Sequence, residues 1–281
     1  MNRMNYLNVG CGKKFHNEWA NLDMFSNSHH VKSYNLLKGI PFPNDQFDVV
    51  YHSQVLEHFS KDKAPSFLRE CLRVLKPGGI MRIVVPDLEN IVNEYIKHLD
   101  ENIRNPNSQS EANYDWIMLE MYDQTVRNYR GGQMAAFLRQ PELINEKYIK
   151  DRIGYVGRSI RDRYLANKNS KQPIPLFKRV AKKIKIAGII SLSRQVIGRI
   201  SSSISSEAKR IGSFRLSGEI HMWMYDRFSL SRLLTEVGFE EIEIKTPYES
   251  NIPEWDKYEL DIKDGRVFDP TSLFMEARKP R

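Results

Sequence analysis

The sequence predicts an α/β fold: a doubly wound, mostly parallel seven-stranded sheet interrupted by a long helical insertion. Three observations predict it. Short apolar strands alternate with helix-spaced segments over the first hundred residues, the same alternation resumes after residue 218, and helical periodicity fills much of the stretch between. The 281 residues, 41% hydrophobic and 11% aromatic, suffice for a proper core and exclude a wholly disordered chain.

Tyr6 to Gly10 reads as a first strand closed by glycine, and Gly10-Cys11-Gly12 as a tight turn. Asn21-Leu22-Asp23 ends a second strand, and His30 to Leu36 alternates like a third. Phe47 to His52 is a continuous apolar run, the mark of a parallel strand buried on both faces. Lys63 to Leu75 sets Phe67, Leu68, Cys71, Leu72 and Leu75 at helical spacing, with Lys76-Pro77-Gly78-Gly79 as its stop. Ile80 to Val85 is a fifth strand closed by Pro86-Asp87, and Leu88 to Leu99 a helix. Residues 100–217 form the insertion, helical over Tyr114–Arg139 except at Gly131-Gly132, and again over Glu142–Leu165, with a fraying Ser-rich stretch at 201–206. Ser229 to Val237 is a helix stopped by Gly238, and Phe239–Lys245 and Ser272–Ala277 are the last two strands. The expected organisation is thus a domain of residues 1–99 and 218–281 around the insertion.

The formal charge of +8 is unevenly placed. Lys171 to Arg215 holds eleven Lys/Arg against one acid, Glu207, a net of +10, which leaves about −2 for everything else. Within it, Leu176, Val180, Ile184, Ala187 and Ile190 mark an apolar face opposite lysines. This pattern suits either an interfacial helix on anionic lipid or a lid with a solvated basic back. Phe177 is the one aromatic of that helix, so nucleic acid is not an expected partner. No apolar run approaches the ~20 residues of a membrane span. The first residues enter a strand at once, without a signal-peptide pattern. Two cysteines, Cys11 and Cys71, give neither a disulfide framework nor a thiolate metal site, and His29-His30 lacks further ligands, so no metal is expected. A reduced, cytoplasmic setting follows, and peripheral docking on the inner face of a membrane is what the lipid reading of the basic segment adds.

A bare turn after the first strand, followed by an acid at the tip of the second, is a nucleoside-binding layout. Glycine lets backbone approach the ligand, and a carboxylate accepts both ribose hydroxyls. Neither a full G-x-G-x-x-G nor a crossover helix fits before Asp23, which argues against a pyrophosphate.

The chain here resembles class I S-adenosylmethionine-dependent methyltransferases with a Rossmann-like domain, of the type-11-like kind. The motifs are LNVGCG (7–12), NLD (21–23), GIPFPNDQFDVVYHSQVLEHF (39–59), LRVLKPGGIMRIVVPD (72–87) and HMWMYDRFSLSRLLTEVGFEEIEI (221–244). WIMLEMYDQTVRNYRGGQM (116–134) resembles a subset associated with polysaccharide biosynthesis. The resemblance implies S-adenosyl-L-methionine as cofactor. It assigns Gly10, Cys11 and Gly12 to its methionine part, Asp23 to the ribose, Asn35, Leu36 and Leu37 to the adenine, and Ser53 to the opening of strand four. Asn8 stands where many members carry an acid, and the short first crossover implies an abbreviated first helix.

Methyl transfer to a hydroxyl needs alignment and a base, and histidine suits the latter. Three candidates stand near the expected cleft. His58 is either a base or the structural half of a Glu57-His58 pair. His221 is either the base, with Trp223 and Tyr225 stacking on a sugar ring, or an ordinary helix-start residue. Asp87 either polarises the base and binds substrate, or simply caps a helix. His52, inside a strand, reads as core. The position after strand four, Ser53-Gln54-Val55-Leu56, lacks the Asn/Asp-Pro-Pro-aromatic signature of base-amine methylation. The expected reaction is O-methylation of a sugar or glycan hydroxyl, lipid-linked or free. Two other readings stay open: methylation of a membrane-borne lipid or quinone-like acceptor, and a catalytically silent module that binds cofactor or docks on a membrane.

Overall fold

The computed structural model describes residues 4–26, 28–169 and 196–281. Its main sheet contains β1 (Tyr6–Val9), β2 (Ala20–Asp23), β3 (Val31–Ser33), β4 (Phe47–Ser53), β5 (Leu75–Pro86), β6 (Glu240–Lys245) and β9 (Ser272–Arg278). The strand order is β3-β2-β1-β4-β5-β9-β6. The first five run parallel, and β9 is antiparallel to both β5 and β6. Two short strands, β7 (Ile262–Lys263) and β8 (Arg266–Val267), form a separate hairpin. The architecture is the mostly parallel α/β sheet that the sequence predicts.

Alternation along the central strands sorts side chains between two cores. Val50 of β4, Met81 and Ile83 of β5 and Met275 of β9 face helices α1 (Ala64–Val74) and α8 (Arg227–Val237). Helix α1 buries Ala64, Phe67, Leu68, Cys71 and Val74, a stripe at three- and four-residue steps. Each large apolar side chain so buried contributes roughly 1.5–3 kcal/mol. His52 shares this face, fully buried against the Phe67 ring at 5.3 Å.

The opposite face carries aromatic rings borne on turns. Val49, Tyr51, Ile80, Val84 and Phe274 meet Trp19, Trp255 and Tyr258, with Tyr6 stacked on Trp19 at 4.9 Å. The abbreviated first helix is absent: residues 10–19 join β1 to β2 through turns. Arg82, fully buried on this side, pairs with Asp261 at 2.8 Å and Glu276 at 2.7 Å. It also donates to the carbonyls of Thr246 and Glu249 and lies over the Trp255 ring. Every charge taken from water here thus has a partner.

Helices α2 (Leu88–Arg104), α3 (Ser108–Val126), α4 (Gly132–Phe137), α5 (Glu146–Arg152), α6 (Tyr155–Asn169) and α7 (Val196–Arg215) follow β5. They enclose a small core of Trp116, Leu138, Ile149 and Ile153. Glu120 accepts from Trp116 Nε1 and pairs with Arg152 at 2.6 Å.

Several boundaries differ from expectation for local reasons. β3 stops at Ser33 because Asn35 caps a 3-10 turn over Leu36–Lys38, accepting from Leu37 N at 3.0 Å. The Lys76–Gly79 stretch lies inside β5, which begins directly after α1. Helix α3 starts earlier than Tyr114, at Ser108, because Asn107 and Ser110 form a capping box. The helix expected over 142–165 is divided at Gly154, where an added Cβ would stand 2.3 Å from Asp269 Oδ1 and 2.8 Å from the Phe268 carbonyl. The stretch 201–206 lies within α7. The basic amphipathic segment falls mostly on residues 170–195, outside the described residues. Among the described residues no helix is long and apolar enough to cross a membrane.

Candidate functional site

In an open parallel sheet the carboxyl ends of the strands flank a crevice where the strand order reverses. Here that point is the end of β1, between β2 and β4. The turn leaving β1 is built on two left-handed residues, Gly10 (φ +68) and Gly12 (φ +54). A Cβ on Gly10 would stand 2.5 Å from Val55 Cγ2, so only glycine fits. A Cβ on Gly12 would meet no atom within 4 Å, so the backbone there borders open space.

Asp23 stands at the tip of β2 beside this opening. Its Oδ2 accepts Gly12 N at 2.8 Å and its Oδ1 accepts Phe25 N at 3.1 Å. Each oxygen keeps a lone pair for a ligand hydroxyl. Between the glycines, Cys11 donates its N–H to the Leu22 carbonyl, and its thiol is buried. Burial first, then the Asp23 charge, pushes that thiol up to about 12. Asn8 is buried too, and its Nδ2 donates to the Lys14 carbonyl at 2.9 Å, so it ties the turn down from within.

Lys14, which no sequence motif marks, closes the turn from the other side. Its ammonium donates to Ser53 Oγ at 3.0 Å and pairs with Asp269 at 2.7 Å. The end of β4, the glycine turn and the loop before β9 therefore meet around one cation. Of the three expected adenine neighbours, Asn35 spends its carbonyl oxygen on the cap, Leu36 packs on the core, and Leu37 is 61% exposed.

A second constellation lies where β4 ends. A 3-10 turn over Leu56–His58 carries Glu57 and His58, and the Glu57 carbonyl accepts both Met222 N (2.7 Å) and Trp223 N (3.2 Å). The His221 N–H donates to the Gln124 carbonyl at the end of α3, so the insertion helps place the return segment. His58 and His221 meet edge to face at 5.0 Å, and His58 Nδ1 lies 2.9 Å from the Ile220 carbonyl. The Glu57 side chain is wholly buried and neither oxygen has a hydrogen-bond partner. That burial raises its carboxyl to about 8 against the lowering by its own backbone N–H, with Asp269 raising and Lys14 lowering it to smaller extents. Both imidazoles are lowered by desolvation, His221 well below its ordinary value, which keeps it neutral at pH 7.

The structure brings His58 and His221 together and puts Asp87 directly after the end of β5. Asp87 caps α2 by accepting from Glu89 N at 3.0 Å, and its backbone bridges Tyr225. Tyr225 corrects the stacking expectation. Its ring is buried in the main core, with an unpartnered hydroxyl, and it offers no face to a sugar. Trp223 is 40% exposed and has the Lys61 ammonium 4.8 Å from its ring centroid.

Residues 31–83, from β3 into β5, match the family described as a methyltransferase domain. Over 51 residues the chain is 43% identical to a protein of Mycolicibacterium smegmatis described as a probable S-adenosylmethionine-dependent methyltransferase. That match covers 18% of this chain and 19% of the relative, so the chain spans about a fifth of the curated relative's length. Similar solved structures include a SAM-dependent methyltransferase from Archaeoglobus fulgidus, 12% identical with a TM-score of 0.38, covering 99% of this chain and 87% of that one. Another, from Aquifex aeolicus, is 18% identical with a TM-score of 0.24, covering 30% of this chain and 57% of that one.

Proposed function

We propose that this chain transfers a methyl group from S-adenosylmethionine to a hydroxyl of a sugar or glycan. One observation carries the cofactor half of the reading: open space beside the Gly12 backbone, bordered by the Asp23 carboxylate with acceptor capacity to spare. Asp23 would accept the ribose hydroxyls. Lys14 and Asp269 offer opposite charges suited to the carboxylate and ammonium of the amino-acid end, a pairing that makes an acid at position 8 unnecessary. When bound, the cofactor supplies an electrophilic methyl carbon on its sulfonium.

The protein's own task is then to exclude water, hold the acceptor and take one proton. His221 is neutral and buried beside His58, so its ring can receive the proton of an acceptor hydroxyl without first losing one of its own. Trp223, half exposed next to this pair, offers a flat apolar face for a sugar ring, with Lys61 at its side for hydroxyls.

Calorimetric titration with S-adenosylhomocysteine tests the cofactor reading, and an absence of binding overturns it. A methyl-release assay on neutral and anionic glycans then tests the acceptor. His221→Ala should retain the nucleoside affinity while turnover falls at least about tenfold. Unchanged turnover would return His221 to a structural role.

A further inference from the structure

We propose that Glu57, His58 and His221 form a binding site for a divalent transition-metal ion of the zinc class. One donor atom from each of the three lies within 4.8 Å of the other two. Donors on one tetrahedral ion, each about 2.1 Å from it, sit roughly 3.4 Å apart, so side-chain adjustments of up to roughly 1.4 Å at the widest separation would close the set.

The case begins with Glu57. A carboxyl fully removed from water is costly to ionise unless it is hydrogen-bonded, paired with a cation or bound to a metal. Glu57 has none of the first two: neither oxygen has a hydrogen-bond partner, the His58 ring 3.9 Å away is uncharged, and the Lys14 ammonium is held by Ser53 and Asp269. The next observation concerns His58. A carbonyl only accepts, so the Ile220 carbonyl at 2.9 Å fixes the proton of the neutral ring on Nδ1. Nε2, left with the lone pair, then lies 3.9 Å from Glu57 Oε1, too long for a hydrogen bond and roughly half an ångström beyond the spacing of two donors on one tetrahedral ion. A histidine whose other nitrogen is tied to a backbone carbonyl is the usual second shell of a metal ligand.

His221 completes the set from a distant part of the chain. Its backbone is pinned through its own N–H to Gln124 and through Met222 N–H to Glu57. Arg127 is the cation that most disfavours a metal here. Its charge is offset by Asp123 at 3.9 Å and Glu219 at 3.6 Å. Two imidazoles and one carboxylate are a donor set of open catalytic zinc sites, which leave a position for water or a substrate oxygen. Magnesium and calcium prefer oxygen donors, so this set selects against them. An ion held by His221 would occupy the one ring lone pair that proton acceptance needs, so the two roles compete at this residue, and binding of the ion is read without turnover.

The test uses the full chain, stripped with a chelator, incubated with zinc and dialysed, then analysed for metal content. Cobalt(II) in place of zinc adds visible absorption bands that report imidazole and carboxylate coordination. The expected result is about one zinc per chain, with affinity lowered at least about tenfold in His221→Ala and in Glu57→Gln. His29→Ala, at an exposed histidine away from the cluster, should bind as the unmodified protein does. If a cluster variant fails to fold, judged by circular dichroism, the cobalt spectrum of the unmodified protein decides. Zinc content below about a tenth of an equivalent, a cobalt spectrum no different from the free aqueous ion, or wild-type zinc affinity in folded His221→Ala overturns the proposal.

Discussion

Asp23 holds two backbone N–H groups, one through each oxygen, and so fixes both the glycine turn and the loop after β2. Asp23→Ala should lower S-adenosylhomocysteine affinity at least tenfold by calorimetry, roughly the loss of one or two charge-assisted hydrogen bonds. His52 gives a residue-level prediction about acid. Its ring is buried with both nitrogens unpartnered, and desolvation lowers it from 6.5 to about 3. Below pH 6.5 the unfolded chain takes up a proton that the native ring refuses until about pH 3. Stability is therefore present above 6.5 and is lost as pH falls through that window, by about 1.4 kcal/mol per unit. Urea denaturation at pH 7 and pH 5 should show the unmodified protein losing about 2 kcal/mol more than His52→Leu between the two. The turn and Asp23 were legible because they are close in sequence and their chemistry depends on local backbone. Lys14 was not legible: its partner Asp269 lies 255 residues away, and nothing local marks either one.

The junction of α3 and α4 shows how an element can set the site. Asp123, buried near the end of α3, accepts from Gln133 N at 2.6 Å and Met134 N at 3.3 Å and so caps α4. Gly132 sits against that carboxylate, where a Cβ would approach to 2.2 Å. Because the Gln124 carbonyl holds His221, strain here reaches the cleft through one turn of helix. Gly132→Ala should destabilise the protein by about 1–3 kcal/mol in thermal unfolding, and it should reduce turnover more than nucleoside affinity. The central strands and α1 were legible because burial on both faces, or on one stripe, leaves a long periodic trace. Strand and helix ends were less so. The capping by Asn35 and Asn107 and the close approach at Gly154 depend on partners that periodicity does not register.

At the scale of the whole molecule, Arg82 ties the central strand β5 to β9, to the loop after β6 and to the turn before β7. Arg82→Met would leave Asp261 and Glu276 buried without their cation. A loss of about 3–5 kcal/mol in urea denaturation is expected, whereas a change below about 1 kcal/mol would show the cluster to be dispensable. The aromatic face above this arginine was beyond sequence reading, because its rings arrive from turns at residues 19 and 255–258 rather than from a periodic element. The two cysteines have a practical consequence for the folded whole. Cys71 lies fully buried on α1, and Cys11 sits nearly as deep inside the glycine turn. With both thiols held protonated, alkylating reagents find no thiolate in the closed protein. Modification of Cys11 alone would then time the breathing of one loop, while modification of both would time the opening of the core. The chain thus carries, without engineering, a clock for each of those two events.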